Sequence, residues 1–192
     1  MISASRLAGF FAAHAIWCVS DGETLVPMLV YSTGDGEQKM ERLVIKDDLE
    51  ASVAYGKEKL DSNKMDANDA ALLYDGRILI GNEKIDAIII EMRAYFSPDS
   101  EAIMAIPYTP KQSGLFQVHK PKLLGWKNCD DFDISSQSFF SESEIFSGIT
   151  IRATTIKSPA IPLCCGSPRP RTRSFCPFCV SGGILMFTFP ER

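Results

Sequence analysis

The sequence predicts an α+β domain in two layers: a largely antiparallel sheet of about six or seven strands with two or three helices. Three observations carry that reading. Apolar residues recur at helical spacing near the N-terminus and again over residues 48–62. Short runs of strand composition are separated by turns containing Gly, Asn and Asp. Helices and hairpins also follow one another without the strand–helix–strand alternation that builds a parallel sheet.

The first helix rests on Leu7, Phe10, Phe11, His14, Trp17 and Cys18, whose three- and four-residue spacing makes one apolar stripe. Ser3 or Ser5 can cap its start and Gly22 can end it. The stretch from Leu7 to Val19 also has the length of a signal-peptide core behind Arg6. His14 interrupts it, however, and no small-x-small cleavage site follows, so a core helix is expected. Thr24 to Ser32 reads as a strand, which Pro27 places at a sheet edge. "TGDGEQ" supplies turn chemistry, and Lys39 to Ile45 returns as the hairpin partner. Asp47, three residues before Glu50, makes a capping box for a second helix over 48–62, with Leu49, Val53, Gly56 and Leu60 on its apolar face.

Residues 70–120 read as a meander. Strands at 70–74 and 77–80 flank Asp75-Gly76, a strong hairpin signal, and 81–84 form another turn. Residues 85–96 make the longest strand. One of its faces carries Ile88, Ile90, Met92, Ala94 and Phe96, the other Ile85, Ala87 and Ile89 followed by Glu91, Arg93 and Tyr95. A tight turn around Pro98, strands at 102–108 and 115–120, and a last helix over 131–141 starting at Asp133 complete the expectation.

Charge divides the chain. Residues 1–144 hold 14 Lys+Arg against 23 Asp+Glu, a net of −9, while residues 145–192 hold 6 against 1, a net of +5. An acidic α+β domain over 1–144 is therefore expected to meet a basic Cys/Pro/Arg-rich tail over 145–192. The tail is expected either to be poorly structured and solvated or not to be native to the domain. A shifted reading frame produces this kind of abrupt change. An acidic body repels phosphate backbones, so no nucleic-acid partner is expected for the main domain. No apolar run reaches the ~18 residues of a membrane span, and a soluble, cytoplasmic protein is expected.

The tail holds Cys164, Cys165, Cys176 and Cys179. Zinc sites commonly pair two C-x2-C knuckles, and only the second pair here has that form. Adjacent Cys164 and Cys165 do not readily turn both sulfurs to one ion. Cys176-Pro-Phe-Cys179 is similar to the active-site motif of glutaredoxins. That family builds most of its fold after the motif, whereas 13 residues follow Cys179, so the redox reading is set aside.

No G-x-S-x-G, H-E-x-x-H or P-loop pattern occurs, so an enzyme is not the first expectation and no cofactor is implied. "DANDAALLYDG" resembles an acidic calcium loop but lacks the sixth-position glycine and twelfth-position glutamate. The reading is a binding or interaction module that engages a protein partner or self-associates. The alternative is a small-ligand binder or enzyme using a cleft between the first helix and the sheet, with His14, Glu91, Arg93 and Tyr95 as ligand-binding candidates. A tail stabilised by zinc on the four cysteines is the second alternative. Limited proteolysis of the full chain is expected to trim it quickly to about residue 145 and then stall. A tail protected as strongly as the body would overturn this division.

Overall fold

The structure, a computed structural model, describes residues 1–46, 48–96, 100–129 and 139, together with the backbone of 185–187. Asp47, the turn at Pro98, the expected last helix apart from Phe139, and the four tail cysteines lie outside the described residues. Described are the helices α1 (Ile2–Ser20) and α2 (Leu49–Ser62) and the strands β1 (Met28–Thr33), β2 (Gln38–Arg42), β3 (Ala67–Ile80), β4 (Glu83–Ala94), β5 (Ser100–Thr109), β6 (Gln117–Val118), β7 (Lys122–Lys127) and β8 (Leu185–Phe187). The strands form one antiparallel sheet in the order β6-β5-β4-β3-β1-β2-β8, with β7 also pairing β5. The α+β class is as the sequence predicts. The sheet and α1 form the two main layers, and α2 lies on part of the sheet's reverse face.

β3 and β4 are the spine of the sheet, paired without interruption from Asp69↔Ala94 to Ile80↔Glu83. Their two-residue turn is Gly81-Asn82, where Gly81 has φ 62° and occupies the left-handed region at no steric cost. The hairpin expected at Asp75-Gly76 is therefore corrected: these residues sit in mid-strand opposite Ile88 and Ala87. The reason is alternation. Ile78 and Ile80 continue the face of Leu72 and Tyr74, so an unbroken strand keeps all four on one side of the sheet. Gly76 is explained by packing, since a Cβ there would lie 3.1 Å from Ile89 Cγ1.

The side-chain period of two sorts the apolar residues onto two faces. Val30, Met40, Leu73, Ile90, Met92 and Met104 face α1, whose Leu7, Phe11, Ala15 and Val19 complete the main core. Leu29, Tyr31, Leu43 and Leu72 face the other way, under Leu60 of α2. Burying each such side chain contributes about 1.5–3 kcal/mol. α1 has the length and mean hydropathy, 1.3, of a membrane-crossing segment, and here it is a helix packed on the sheet. It is wider in its burial than the predicted stripe: Ala4, Ala8 and Ala12 are also covered, and Phe139 crosses so near Gly9 that a Cβ would fall 2.3 Å from its carbonyl oxygen. Neither Ser3 nor Ser5 caps α1, but Gly22 does end it at φ 85°, donating its N–H to Val19 at 3.0 Å.

β1 is an inner strand between β2 and β3, not the edge expected from Pro27. Pro27 lies one residue before the strand, and its carbonyl accepts from the Leu43 N–H at 2.8 Å. α2 is capped by Asp48, which accepts from the Ala51 N–H at 3.1 Å. It ends at Asn63, in the left-handed region, whose amide bonds both the N–H and the C=O of Ala67 at the start of β3. The helix buries Ser52, Gly56 and Leu60, so its inner face is rotated from the predicted one and leaves Leu49 exposed. Gly56 permits the approach: a Cβ there would lie 2.6 Å from Leu72 Cδ1 and 2.7 Å from Leu43 Cδ1.

Alanine is the better helix former by about 1 kcal/mol, whereas overpacking a filled core costs about 1–3 kcal/mol. Gly56→Ala is therefore expected to destabilise by about 1 kcal/mol, read as a fall in the urea midpoint at unchanged slope. A rise in the midpoint would mean that α2 is not seated on Leu72.

Candidate functional site

Glu91, Arg93 and Tyr95 do share one face of β4, as the alternation predicts, and that face receives α2. Glu91 is buried at 7% exposure and stands in the row Leu72–Glu91–Ile103. Its Oε1 accepts from Tyr74 Oη at 2.6 Å and pairs with Lys57 Nζ of α2 at 2.7 Å. Arg93 pairs with Asp61 of α2 at 2.9 Å and with Glu101 of β5 at 3.2 Å. The Tyr95 hydroxyl donates to the carbonyl of Leu60 in the last turn of α2. The three residues form a polar seam that holds a helix in place. No periodicity in β4 says which helix returns to it, so the seam is hidden at the sequence level.

The electrostatics agree. Burial alone would lower the Lys57 pKa, but the Glu91 hydrogen bond and charge outweigh it and leave the ammonium above its ordinary value. Burial, followed by the Glu91 carboxylate, pushes Tyr74 up to about 12. Burial likewise raises Tyr95. Lysine is thus held charged and the phenols neutral, a state suited to hydrogen bonding and opposed to proton transfer near neutral pH.

His14 lies on α1 and therefore on the opposite side of the sheet from the seam. The four ligand-binding candidates do not converge on one cleft. The His14 Nε2 is 3.8 Å from Cys18 Sγ, one helical turn on. Burial, then the charge of Arg42, lowers its pKa to about 4. Elsewhere on the α1 face, Asp69 Oδ1 and Arg42 Nε are buried without a hydrogen-bond partner. They belong to different cross-strand rows, Asp69 opposite Ser32 and Arg42 opposite Met28, and do not form a pair.

The feature that sequence reasoning missed is an open edge. β1 accompanies β3 only as far as Met28↔Leu73, so β3 continues from Tyr74 to Ile80 with no strand on that side among the described residues. The direction of its backbone groups follows from two bonds. Tyr95 N–H donates to the Asn68 carbonyl and Leu43 N–H to the Pro27 carbonyl, both at 2.8 Å. Asn68 thus points toward β4, and residues 69, 71 and 73 toward β1. Continuing the alternation, the N–H and C=O of Asp75, Arg77 and Leu79 point outward. Beside this edge a groove of about 320 Å³ opens between α2 and β3, lined by Leu49, Val53, Ala54, Lys57, Tyr74 and Asp75. Leu79 is 67% exposed. The signal for the overhang is the length mismatch between a six-residue β1 and a fourteen-residue β3.

No protein-family model, curated protein or solved structure matches the chain. Among the described residues, no group of three or more His, Cys, Asp or Glu side chains is placed to hold a metal ion, and Cys164, Cys165, Cys176 and Cys179 lie outside them.

The histidine gives a pH prediction whose sign follows from the direction of its shift. The unfolded chain binds a proton near pH 6.5, the folded chain only near pH 4. Stability from this group is full above about pH 6.5, is lost as pH falls toward 4, and changes no further below that. The loss reaches up to about 3 kcal/mol. Urea titrations at pH 7 and pH 4.5 are expected to differ by less in His14→Leu than in the parent. An unchanged difference would mean that His14 is not held neutral.

Proposed function

We propose that the chain is a protein-interaction module that captures an extended segment of a partner by strand addition at the outer edge of β3. The observation that supports this most is the run of outward-pointing N–H and C=O groups on Asp75, Arg77 and Leu79, beside a partly apolar groove. A strand laid there gains main-chain hydrogen bonds from the edge. Alternate side chains on its α2 side enter the groove along Leu49 and Val53. Charged residues on such an edge oppose indiscriminate pairing, and Asp75 and Arg77 supply them. The edge is then selective, as a recognition surface must be.

The probe is a capped, neutral peptide of alternating threonine and valine, titrated into isotope-labelled full-length protein. Saturable shifts are expected at the amides of Asp75, Arg77 and Leu79. Leu79→Pro removes a donor that the β3–β4 ladder does not use, and is expected to abolish those shifts while leaving the far-ultraviolet dichroism intact. Arg77→Pro is the second variant for the same purpose. Shifts confined to β2 or β7, or none at all, would overturn the reading.

A further inference from the structure

Resting on that strand-capture reading, we infer that the captured segment is the same edge of a second copy, paired antiparallel about a two-fold axis at Ile78. A strand held by its own sheet is already extended, so joining it orders little chain. An edge that meets its own copy must also be self-complementary. Charge, register and side-chain fit each meet that condition.

On the α1 side the overhang carries Asp75, Arg77 and Leu79, and β4 places Asp86 opposite Arg77 and Lys84 opposite Leu79. Two acids and two bases sum to zero, and Arg77 Nε already pairs with Asp86 at 3.0 Å. Such an edge selects neither a basic nor an acidic strand, and it does not repel its own copy. The net −9 of residues 1–144 does oppose association, chiefly at low salt.

Register is limited by β1 and by the direction of the backbone groups. Antiparallel pairing sets outward-pointing residues opposite one another, so a two-fold axis passes through a residue. An axis at Gly76 would carry Leu79 of the second copy onto Leu73, where Met28 already sits. An axis at Arg77 would set two guanidinium groups directly opposite, which like charges disfavour. One nearer the turn pairs fewer residues. The axis at Ile78 pairs Arg77 with Leu79 of the second copy, and Leu79 with its Arg77, each exchanging main-chain hydrogen bonds.

The side chains fit that register. Exposed Leu79 lies against the aliphatic stem of Arg77 from the second copy. On the α2 side Ile78 meets its own equivalent, a favourable β-branched pair. Ile80 of the second copy comes opposite Gly76, which has no side chain to obstruct it. Both open edges are closed by one contact, and the two sheets become continuous.

Sedimentation and thiol cross-linking of the full-length chain test this at about 0.15 M salt, where repulsion is screened beyond about 8 Å. The mass is expected to rise with concentration from that of one chain toward two. Excess neutral threonine–valine peptide is expected to return it to one. Leu79→Pro is expected to weaken the association about tenfold or more, as the main-chain bonds lost on both copies imply. Arg77 and Leu79 each lie on a diagonal about 7–8 Å from their own equivalents, within reach of a short flexible thiol reagent. Arg77→Cys and Leu79→Cys are each expected to link in pairs above the parent's background, and Lys122→Cys on β7 is not. Association that survives Leu79→Pro, or linking no faster than at Lys122, would overturn the self-pairing. A chain that stays single while the neutral peptide shifts the β3 amides also overturns it, and leaves strand capture standing. If the chain neither associates nor binds the peptide at the β3 edge, strand capture itself fails.

Discussion

The structure depends on the uninterrupted ladder between β3 and β4. Its twelve pairs, Asp69↔Ala94 to Ile80↔Glu83, present one apolar face to α1 and another to α2. An alternating strand normally buries one side and solvates the other. Here Leu73 and Leu72, adjacent in sequence, each reach 0% exposure because a different core claims each of them. A one-residue slip would exchange the faces, placing Glu91 against α1 and Ile90 beneath Lys57. The register of this single ladder therefore fixes where both helices can sit.

The second face is held differently from the first. α1 is seated by apolar packing, α2 by packing at Gly56 and Leu60 flanked by the polar bonds of Glu91, Arg93 and Tyr95. Lys57 remains 43% exposed at its side chain, so its pair with Glu91 adds little net stability beyond what solvent would supply. The bonds matter for position. Glu91 is buried and would be costly without partners, so α2 is favoured in the placement that brings Lys57 to it. That placement turns Leu49 and Val53 away from the core and toward the open side of β3, which is how the groove arises.

Much of this fold is legible in the sequence. The stripe in residues 7–18, the apolar residues of 48–62 and the alternation in 85–96 each identify an element, because period and composition are local properties. The division of β4 into an Ile88–Ala94 face and an Ile85–Tyr95 face is read correctly for the same reason. Errors arise where a local signal competes with a distant one. Asp75-Gly76 has the chemistry of a turn, yet Ile78 and Ile80 gain more by continuing the buried face. Pro27 suggests an edge, yet it is one residue outside an inner strand. The polar residues of β4 are legible as one face, but their partners are not: Lys57, Asp61 and the Leu60 carbonyl arrive from a helix some thirty residues earlier. That His14 lies across the sheet from them is likewise hidden, because face membership along one strand does not say which helix covers which face.

Among the described residues, the overhang of β3 begins where β1 ends, at Met28, the residue after Pro27. A strand continuing from Met28 toward the N-terminus would pair beyond Leu73 and close the overhang. Proline fixes φ near −65°, away from the dihedral of a regular antiparallel strand, and the N–H it lacks is one that would face β2. Its carbonyl is already used by Leu43 of the chain leaving β2. β1 thus stops at Met28, while β3 and β4 continue to a turn that only their mutual pairing sets. Shortening β3 to match would remove Ile78, which is buried with Ala87, Ile89 and Ala105, and with it a third apolar cluster. The overhang is retained because one of its faces is packed in that cluster, and among the described residues no strand follows β1 along its outer side.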